Sequence, residues 1–419
     1  MKKILTLFMT FILITGLTGC GRDGSGGNEE TELNVFMMNP DMYMESFLSS
    51  YSGEEGLVTT NVEMGMTNPN MEVGDVLKLL NTRLMSDDGP DIIVMDDINA
   101  DGYIESGQLA DLSDIISKSN DLINPLKEQD DEIYYVPLSF GVIADSKSTG
   151  AAVDFEDMEK YVSSLKAQGL KSGNFENTAV LWYKTEIEPI IKEKNNLSKE
   201  ELTGFYENVK ELMTVTEWYG RNPARASLYP GTFMVNPLIE YWDIYADKIG
   251  AARSYITNIS DLHQLYHAKN EGKLEFSYGK ADGETVYIPT CIIAVNNNSK
   301  NKDAAFEMVE YMLSEEGQKD VAQNGGYLPV NYKVLRDELE NCPETNVNIN
   351  GVGSILKPFT ANDIDEIMEV IKNLEYEAYS DSYLMEIILT GAADYGNGDE
   401  TLDSAVEKAM NKLKIYLTE

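Results

Sequence analysis

Residues 33–95 restrict most tightly what this chain can become. Leu33-Asn34-Val35-Phe36-Met37-Met38 is a short apolar run ending at Asn39-Pro40, a strand closed by a turn signal. Val73, Val76, Leu77, Leu80 and Leu84 follow at helical spacing and put one apolar face on a helix over 73–84. The cluster Ser86-Asp87-Asp88-Gly89-Pro90 stops that helix. Asp91-Ile92-Ile93-Val94-Met95 is a continuous apolar run that suits a strand covered on both faces. Strand, helix, strand predicts a parallel α/β lobe.

One lobe cannot absorb 419 residues, so two domains or one large bilobal unit follow. Met158, Tyr161, Val162 and Leu165 predict a further helix with Gly169 as its C-terminal cap. Thr285–Val295 reads as a strand, and Phe306, Val309, Met312 and Leu313 as a helix behind it. A final helix carries Leu402, Ala405, Val406, Ala409, Leu413 and Leu417. Its acids lie early and its lysines late, which suits the helix dipole.

The balance of 33 Lys+Arg against 71 Asp+Glu should repel nucleic acid and anionic lipid headgroups, so nucleic acid is not an expected partner. The N-terminus, MKKILTLFMTFILITGLTGC, has a basic start and an apolar core from Ile4 to Ile14. That core is shorter than the ~20 residues of a membrane span and reads as an export signal over 1–19. Leu17-Thr18-Gly19-Cys20 resembles a bacterial lipobox, which implies lipidation at Cys20. Residues 20–31, glycine-rich and polar, would then be a flexible tether, and the membrane would be met through the lipid alone. Cys291, in YIPTCIIAV, reads as a small buried hydrophobe; a bridge to Cys342 stays open as an alternative.

Several stretches, in order, resemble the family 1 extracellular solute-binding proteins, the receptors of bacterial ABC importers, many of which bind sugars. They are LLNTRLMSDDGPDIIVMDD, IESGQLADLSDII, YYVPLSFGVIADSK and AAFEMVEYMLSEEGQKDVAQNGGYLPV. The resemblance implies a bilobal periplasmic-binding-protein-like α/β fold with a multi-segment hinge. Its crossings would fall near Val136-Pro137, Ile288-Pro289 and Leu328-Pro329. Residues 32–137 plus 289–328 would form one lobe, and 138–288 plus 329–419 the other. It implies a monomer that captures a solute by hinge closure, first of all a carbohydrate or oligosaccharide, and delivers it to the transmembrane subunits of a permease, with no cofactor. The chain departs from the family in Ala144-Asp145-Ser146-Lys147, where an aromatic-Asn-Lys is common.

Ligands of parallel α/β lobes bind beyond the carboxyl ends of strands. Asn39 and Asp41 after the first strand, and Asp96 and Asp97 after the second, could accept hydrogen bonds from sugar hydroxyls; equally, these aspartates could cap helices. Phe140, Trp182, Tyr183, Trp218, Tyr219 and Tyr229 are candidates for covering the apolar face of a ring, with core packing as the commoner role of any aromatic; Trp242 suits the core. The stretch DINADGYIESGQ at 97–108 begins like a calcium loop, but Gln108 stands where a chelating Glu is needed and a strand precedes it. Asp97 or Asn99 reads instead as the cap of a short helix leaving a strand end, and the stretch as lining the cleft mouth, where its carboxylates could meet a ligand. The two histidines, His263 and His267, lie four apart and read as surface residues of a helix rather than zinc ligands. An exported enzyme acting on polysaccharide, or a receptor for a non-sugar solute, are the alternatives.

Overall fold

The computed structural model describes residues 31–39, 41–53, 56–65, 73–86, 89–96, 98–127, 132–217, 237–349, 351–378 and 381–417. The export signal, the tether with Cys20, Asp97, Trp218, Tyr219 and Tyr229 lie outside them.

The strands are β1 (Thr31–Met37), β2 (Val58–Met64), β3 (Ile92–Val94), β4 (Val136–Ser148), β5 (Ser172–Asn174), β6 (Thr216–Glu217), β7 (Ala251–Ile256), β8 (Leu274–Tyr278), β9 (Lys280–Ala281), β10 (Glu284–Val295), β11 (Leu328–Pro329), β12 (Thr345–Ile349), β13 (Val352–Leu356) and β14 (Leu374–Glu377). The main sheet runs β2-β1-β3-β10-β4-β7-β5-β6. Its two ends are parallel: β2, β1 and β3 at one, β7, β5 and β6 at the other. Between them lie two long antiparallel strands, β4 and β10. With 13 residues at ~3.3 Å each, β4 spans about 40 Å, long enough to serve both ends.

The predicted strands at 33 and 91 and the helix over 73–84 are present, but the helix Met42–Ser50 and β2, which the sequence reading did not include, stand between the first strand and that helix. The helix Val73–Leu84 connects β2 to β3. Side chains alternate between the two faces and both faces are covered, which explains why β3 and residues 35–37 of β1 are apolar without a break. Leu33, Val35, Met37, Ile92 and Val94 face the largest core, while Phe36, Met38, Ile93 and Met95 face a second one under Val73, Val76 and Leu80. The largest core continues along one face of β4 through Leu138, Phe140, Val142 and Ala144 to Ala252 and Leu262. It also takes in Val330, Leu335, Ile364 and Leu374. Another core joins the helices Met158–Gln168, Phe175–Trp182, Lys199–Val215, Ser382–Asn397 and Leu402–Tyr416. Gly169 ends the first of these in the left-handed region, φ 66°, as its sequence position predicts.

The three proline-bearing segments at 136–137, 288–289 and 328–329 are neighbours in the sheet. Pro137 lies opposite Ile292, Pro289 opposite Phe140, and Pro329 opposite Ser139. At this point β10 also carries Cys291 with φ 54°, an uncommon conformation for a residue with a side chain.

The helix Phe175–Trp182 passes through a π-helical turn, Tyr183–Ile187, into Glu188–Lys194. Pro189 supplies a cause, since it has no N–H for the regular ladder.

Candidate functional site

A cleft of about 1170 Å³ opens beside the proline crossing. One wall comprises Asp41 and Asp96, just past the carboxyl ends of β1 and β3, together with Ile288–Ile292 of β10. Asn177, Val180, Leu181, Lys184 and Met385 form another, from the segments Phe175–Ile187 and Ser382–Asn397 of the helical core. Tyr255, Thr257 and the start of the helix Ile259–Asn270 make a third side, with Gln323 to Tyr327 and the hairpin β12–β13 closing the rest.

Asp41 does both things its position allows. Its Oδ1 caps the helix Met42–Ser50 by accepting the N–H groups of Tyr43 and Met44 at 2.9 Å, and its Oδ2 accepts the Tyr327 hydroxyl at 2.8 Å. Tyr327 packs on Tyr43, ring centroids 5.3 Å apart. Burial and the nearby Asp41 and Cys291 push the Tyr327 phenol well above its ordinary range, so it stays a hydrogen-bond donor. Asp96 acts differently from a cap. Its carboxylate accepts the N–H groups of Cys291 at 2.8 Å and Ile292 at 2.9 Å. It thereby ties the end of β3 to β10 at the residue with positive φ. The Cys291 thiol is pushed up by burial and by Asp96 and Asp41, which keeps it protonated.

Asn258 caps the helix Ile259–Asn270 and donates to Asp261 Oδ2 at 2.8 Å. Burial raises the Asp261 carboxyl to about 7, against the lowering effect of the Asn258 hydrogen bond. The donor and acceptor set is thus mixed: carboxylates, side-chain amides, phenols and Lys184, set among aliphatic side chains. Such a surface suits a neutral, hydroxyl-rich solute with apolar faces.

Of the residues proposed from sequence, Asp41 and Asp96 meet in this cleft. Asn39 is half-buried and is not among the lining residues. Phe140 is fully buried in the largest core, because its position on β4 has the parity of Leu138 and Val142. Trp182 is buried too, and its face is occupied by the Arg253 guanidinium, 3.7 Å from the ring centroid. Arg253 is itself held by Asp145 at 3.6 Å and Thr185 Oγ1 at 3.2 Å. Tyr183 is likewise in the core, as is Trp242, which donates to Gln264 Oε1 at 2.6 Å.

Two further readings are corrected. The described residues of 98–108 do not line the cleft: Asn99 accepts the Asp101 N–H at 2.9 Å, and a short helix Asp101–Glu105 follows, so no helix–loop–helix is formed. His263 and His267 are buried rather than superficial, because the hairpin and residues 341–359 cover that face of their helix. The cysteines 291 and 342 are free, and both border the cleft. Sequence reading missed Tyr255, Asp261, Lys184 and Tyr327. The Asn258-x-x-Asp261 capping pattern and the tyrosine in NGGYLPV were the available signals.

Among the described residues, no group of three or more His, Cys, Asp or Glu side chains is placed to hold a metal ion, and no helix is long and apolar enough to cross a membrane.

A mixed α/β molecule with two parallel sheet ends, long connecting strands and a cleft beside them is the architecture of a periplasmic-binding-protein-like solute receptor. A family model described as bacterial extracellular solute-binding protein matches residues 60–345, and the chain belongs to that family. A comparison with curated proteins by sequence finds no match. Among solved structures, a family 1 extracellular solute-binding protein from Bifidobacterium longum subsp. infantis is similar at TM-score 0.53 and 15% identity, covering 93% of this chain and 100% of that one. The GacH receptor of Streptomyces glaucescens, solved unliganded and with acarbose, gives TM-score 0.53 and 14% identity over 93% of this chain and 100% of its own. The maltose-maltodextrin binding protein of Alicyclobacillus acidocaldarius gives 0.53 and 13% over 92% and 100%. At such identities the likeness establishes the fold.

Proposed function

We propose that this protein is the lipid-anchored solute receptor of an ABC importer, and that it captures a carbohydrate between two lobes by closure at the proline crossing. The observation that carries the reading is the cleft itself: about 1170 Å³, bordered by the ends of β1 and β3 on one side and by residues 177–184 and 255–261 on the other. A ligand that touches both sides stabilises the closed arrangement, which is the requirement for closure on binding. Solved proteins of the same fold that bind acarbose and maltodextrins support a sugar as the ligand.

Within this reading, Asp41, Asp96, Asn177, Asn258 and Tyr255 contact the solute, and Trp218, Tyr219 and Tyr229 remain candidates for the ring-covering aromatics. The chain passes between lobes at 136–137, 288–289 and 328–329. Cys20 carries the lipid, and residues 20–31 hold the receptor at the outer face of the membrane, where it presents its closed form to the permease. The protein binds without turnover.

Calorimetric titration with a panel of mono- and oligosaccharides tests this. Saturable binding with the sugar recovered intact is expected. Cleavage of a glycan would make the protein an exported enzyme, and binding of only non-sugar solutes would reassign its ligand class.

A further inference from the structure

The helix Met42–Ser50 starts at the cleft, which its cap, Asp41, borders. It joins the parallel strands β1 and β2, so it must run back from the carboxyl end of β1 and leads out of the cleft. Tyr43, Phe47 and Tyr51 follow four apart on one side of it, over about 12 Å at ~1.5 Å per residue. Tyr311, from the helix Lys302–Leu313, and Tyr327 meet them there. Ring centroids are 5.3 Å apart for Tyr327 and Tyr43, 5.7 Å for Tyr43 and Phe47, 6.4 Å for Phe47 and Tyr311, and 5.3 Å for Tyr311 and Tyr51. Phe47 is buried, whereas the four tyrosines around it are half-buried. Gly325 permits the first of these contacts: a Cβ there would stand 2.6 Å from the Tyr43 ring and 2.7 Å from the Tyr327 ring.

We propose that these tyrosines form a stacking platform that continues the cleft, and that the ligand is a linear oligosaccharide long enough to leave the cleft past Tyr327 and lie across them. That the ligand is a carbohydrate is the reading given under Proposed function; its length and path are what the tyrosines add. Tyr327 belongs to both surfaces, since it borders the cleft and its ring packs on Tyr43. The cleft, at about 1170 Å³, already exceeds the roughly 300–1,000 Å³ of sites for drug-sized ligands, which favours a ligand of several rings.

A pyranose ring has apolar C–H faces and a rim of hydroxyls, so it needs aromatic faces with hydrogen-bonding groups at their edges. The platform has both. The Tyr43 hydroxyl donates to Asp320 Oδ2 at 3.2 Å, and the Asn324 amide donates to the other oxygen of that carboxylate. The Tyr327 hydroxyl donates to Asp41 Oδ2 at 2.8 Å. Each phenol oxygen keeps lone pairs for an incoming hydroxyl, and each carboxylate oxygen can accept a second donor. All four tyrosines also pack by one side on the largest core, so their rings are held in place before a ligand arrives and little conformational freedom is lost on binding.

The mature chain is titrated calorimetrically with linear malto-, cello-, xylo- and manno-oligosaccharides, each from disaccharide to hexasaccharide, alongside the variants Tyr51→Ala and Tyr311→Ala. In the series that binds, affinity should rise with length. Each Ala variant should weaken the hexasaccharide roughly three- to tenfold, the scale of one aromatic contact, and leave the disaccharide unchanged. Tyr311→Phe keeps the ring face and should bind the hexasaccharide nearly as the parent does. Thermal melting of the same variants shows whether Phe47 and the core beneath it have been disturbed; an equal loss at every length marks that damage and overturns the platform. Unchanged affinity for the hexasaccharide in both Ala variants also overturns it, and loss of uptake in cells alongside would assign the tyrosines to a protein partner instead. A series whose disaccharide binds as tightly as its hexasaccharide overturns the platform alone and leaves carbohydrate capture standing, whereas no binding by any series overturns both.

Discussion

At the scale of single residues, position relative to a strand end decides what a carboxylate does. Asp96 holds two N–H groups that β10 cannot satisfy by pairing where Cys291 takes a positive φ. Asp96→Ala should orphan both and cost roughly 2–6 kcal/mol, at 1–3 kcal/mol per unsatisfied buried group, whereas Asp96→Asn keeps one acceptor and should cost less. Urea unfolding of the two variants would show the order, and equal costs would mean that water replaces the carboxylate. Arg253 offers a second case. It lies between the Trp182 ring and Asp145, whose carboxyl burial raises to about 6 in spite of the arginine. Arg253→Met should cost about 3–5 kcal/mol at neutral pH and above, because a buried carboxylate loses its partner. The cost should shrink toward pH 5, where Asp145 takes up a proton instead; a cost independent of pH would show that Asp145 carries no charge in the folded protein.

At the scale of elements, the meeting of β4, β7 and β10 controls the cleft. Gly141 lies on β4 one residue beyond the crossing, and a Cβ there would stand 2.1 Å from the Tyr255 ring and 2.8 Å from the Ile256 carbonyl. The Tyr255 side chain borders the cleft and its hydroxyl donates to the Ile288 carbonyl at 3.4 Å. Gly141→Ala should therefore push Tyr255 aside and weaken ligand binding by more than tenfold, on the scale of a misplaced contact group. Calorimetry with whichever sugar binds best would measure it, and full affinity in a folded variant would remove Tyr255 from the site. Elements were also where the sequence was most readable. The helix 73–84 and the strands β1 and β3 follow from periodicity and turn residues alone, since both are local, whereas the helix Met42–Ser50 and β2 between them were not anticipated. The β12–β13 hairpin also had a local signal that the sequence reading passed over, the alternation Asn346-Val347-Asn348-Ile349 followed by the turn pair Asn350-Gly351; what no local pattern could give is the helix it covers, some eighty residues earlier.

For the whole molecule, the buried carboxyls set a pH trend. Glu186 and Glu240 are raised to about 7 by burial, as is Asp261. Acids raised above their unfolded values stabilise the fold fully below the unfolded pKa, and that contribution is lost as pH rises through about 7. The net charge of −38 acts in the same direction, since protonation relieves self-repulsion. Thermal unfolding should accordingly occur at higher temperature near pH 5.5 than near pH 8. A lower melting temperature at the acidic end would show that these groups are ionised in the native state. Small-angle scattering should report a smaller radius of gyration with sugar bound than without, the signature of closure.

The local pattern of the chain by itself determined the strand–helix–strand unit, the long β10, the helix capped by Gly169 and the placement of Asp41 and Asp96 at strand ends. Each depends on residues within a few positions of one another, where spacing and turn chemistry act directly. Tertiary structure alone decided that Trp182 and Phe140 belong to the interior, that three prolines spread over nearly two hundred residues stand side by side, and that the histidines face a hairpin instead of solvent. Those outcomes rest on which face of an element another element happens to cover. That choice is made by the packing of the whole chain, and no window of sequence contains it.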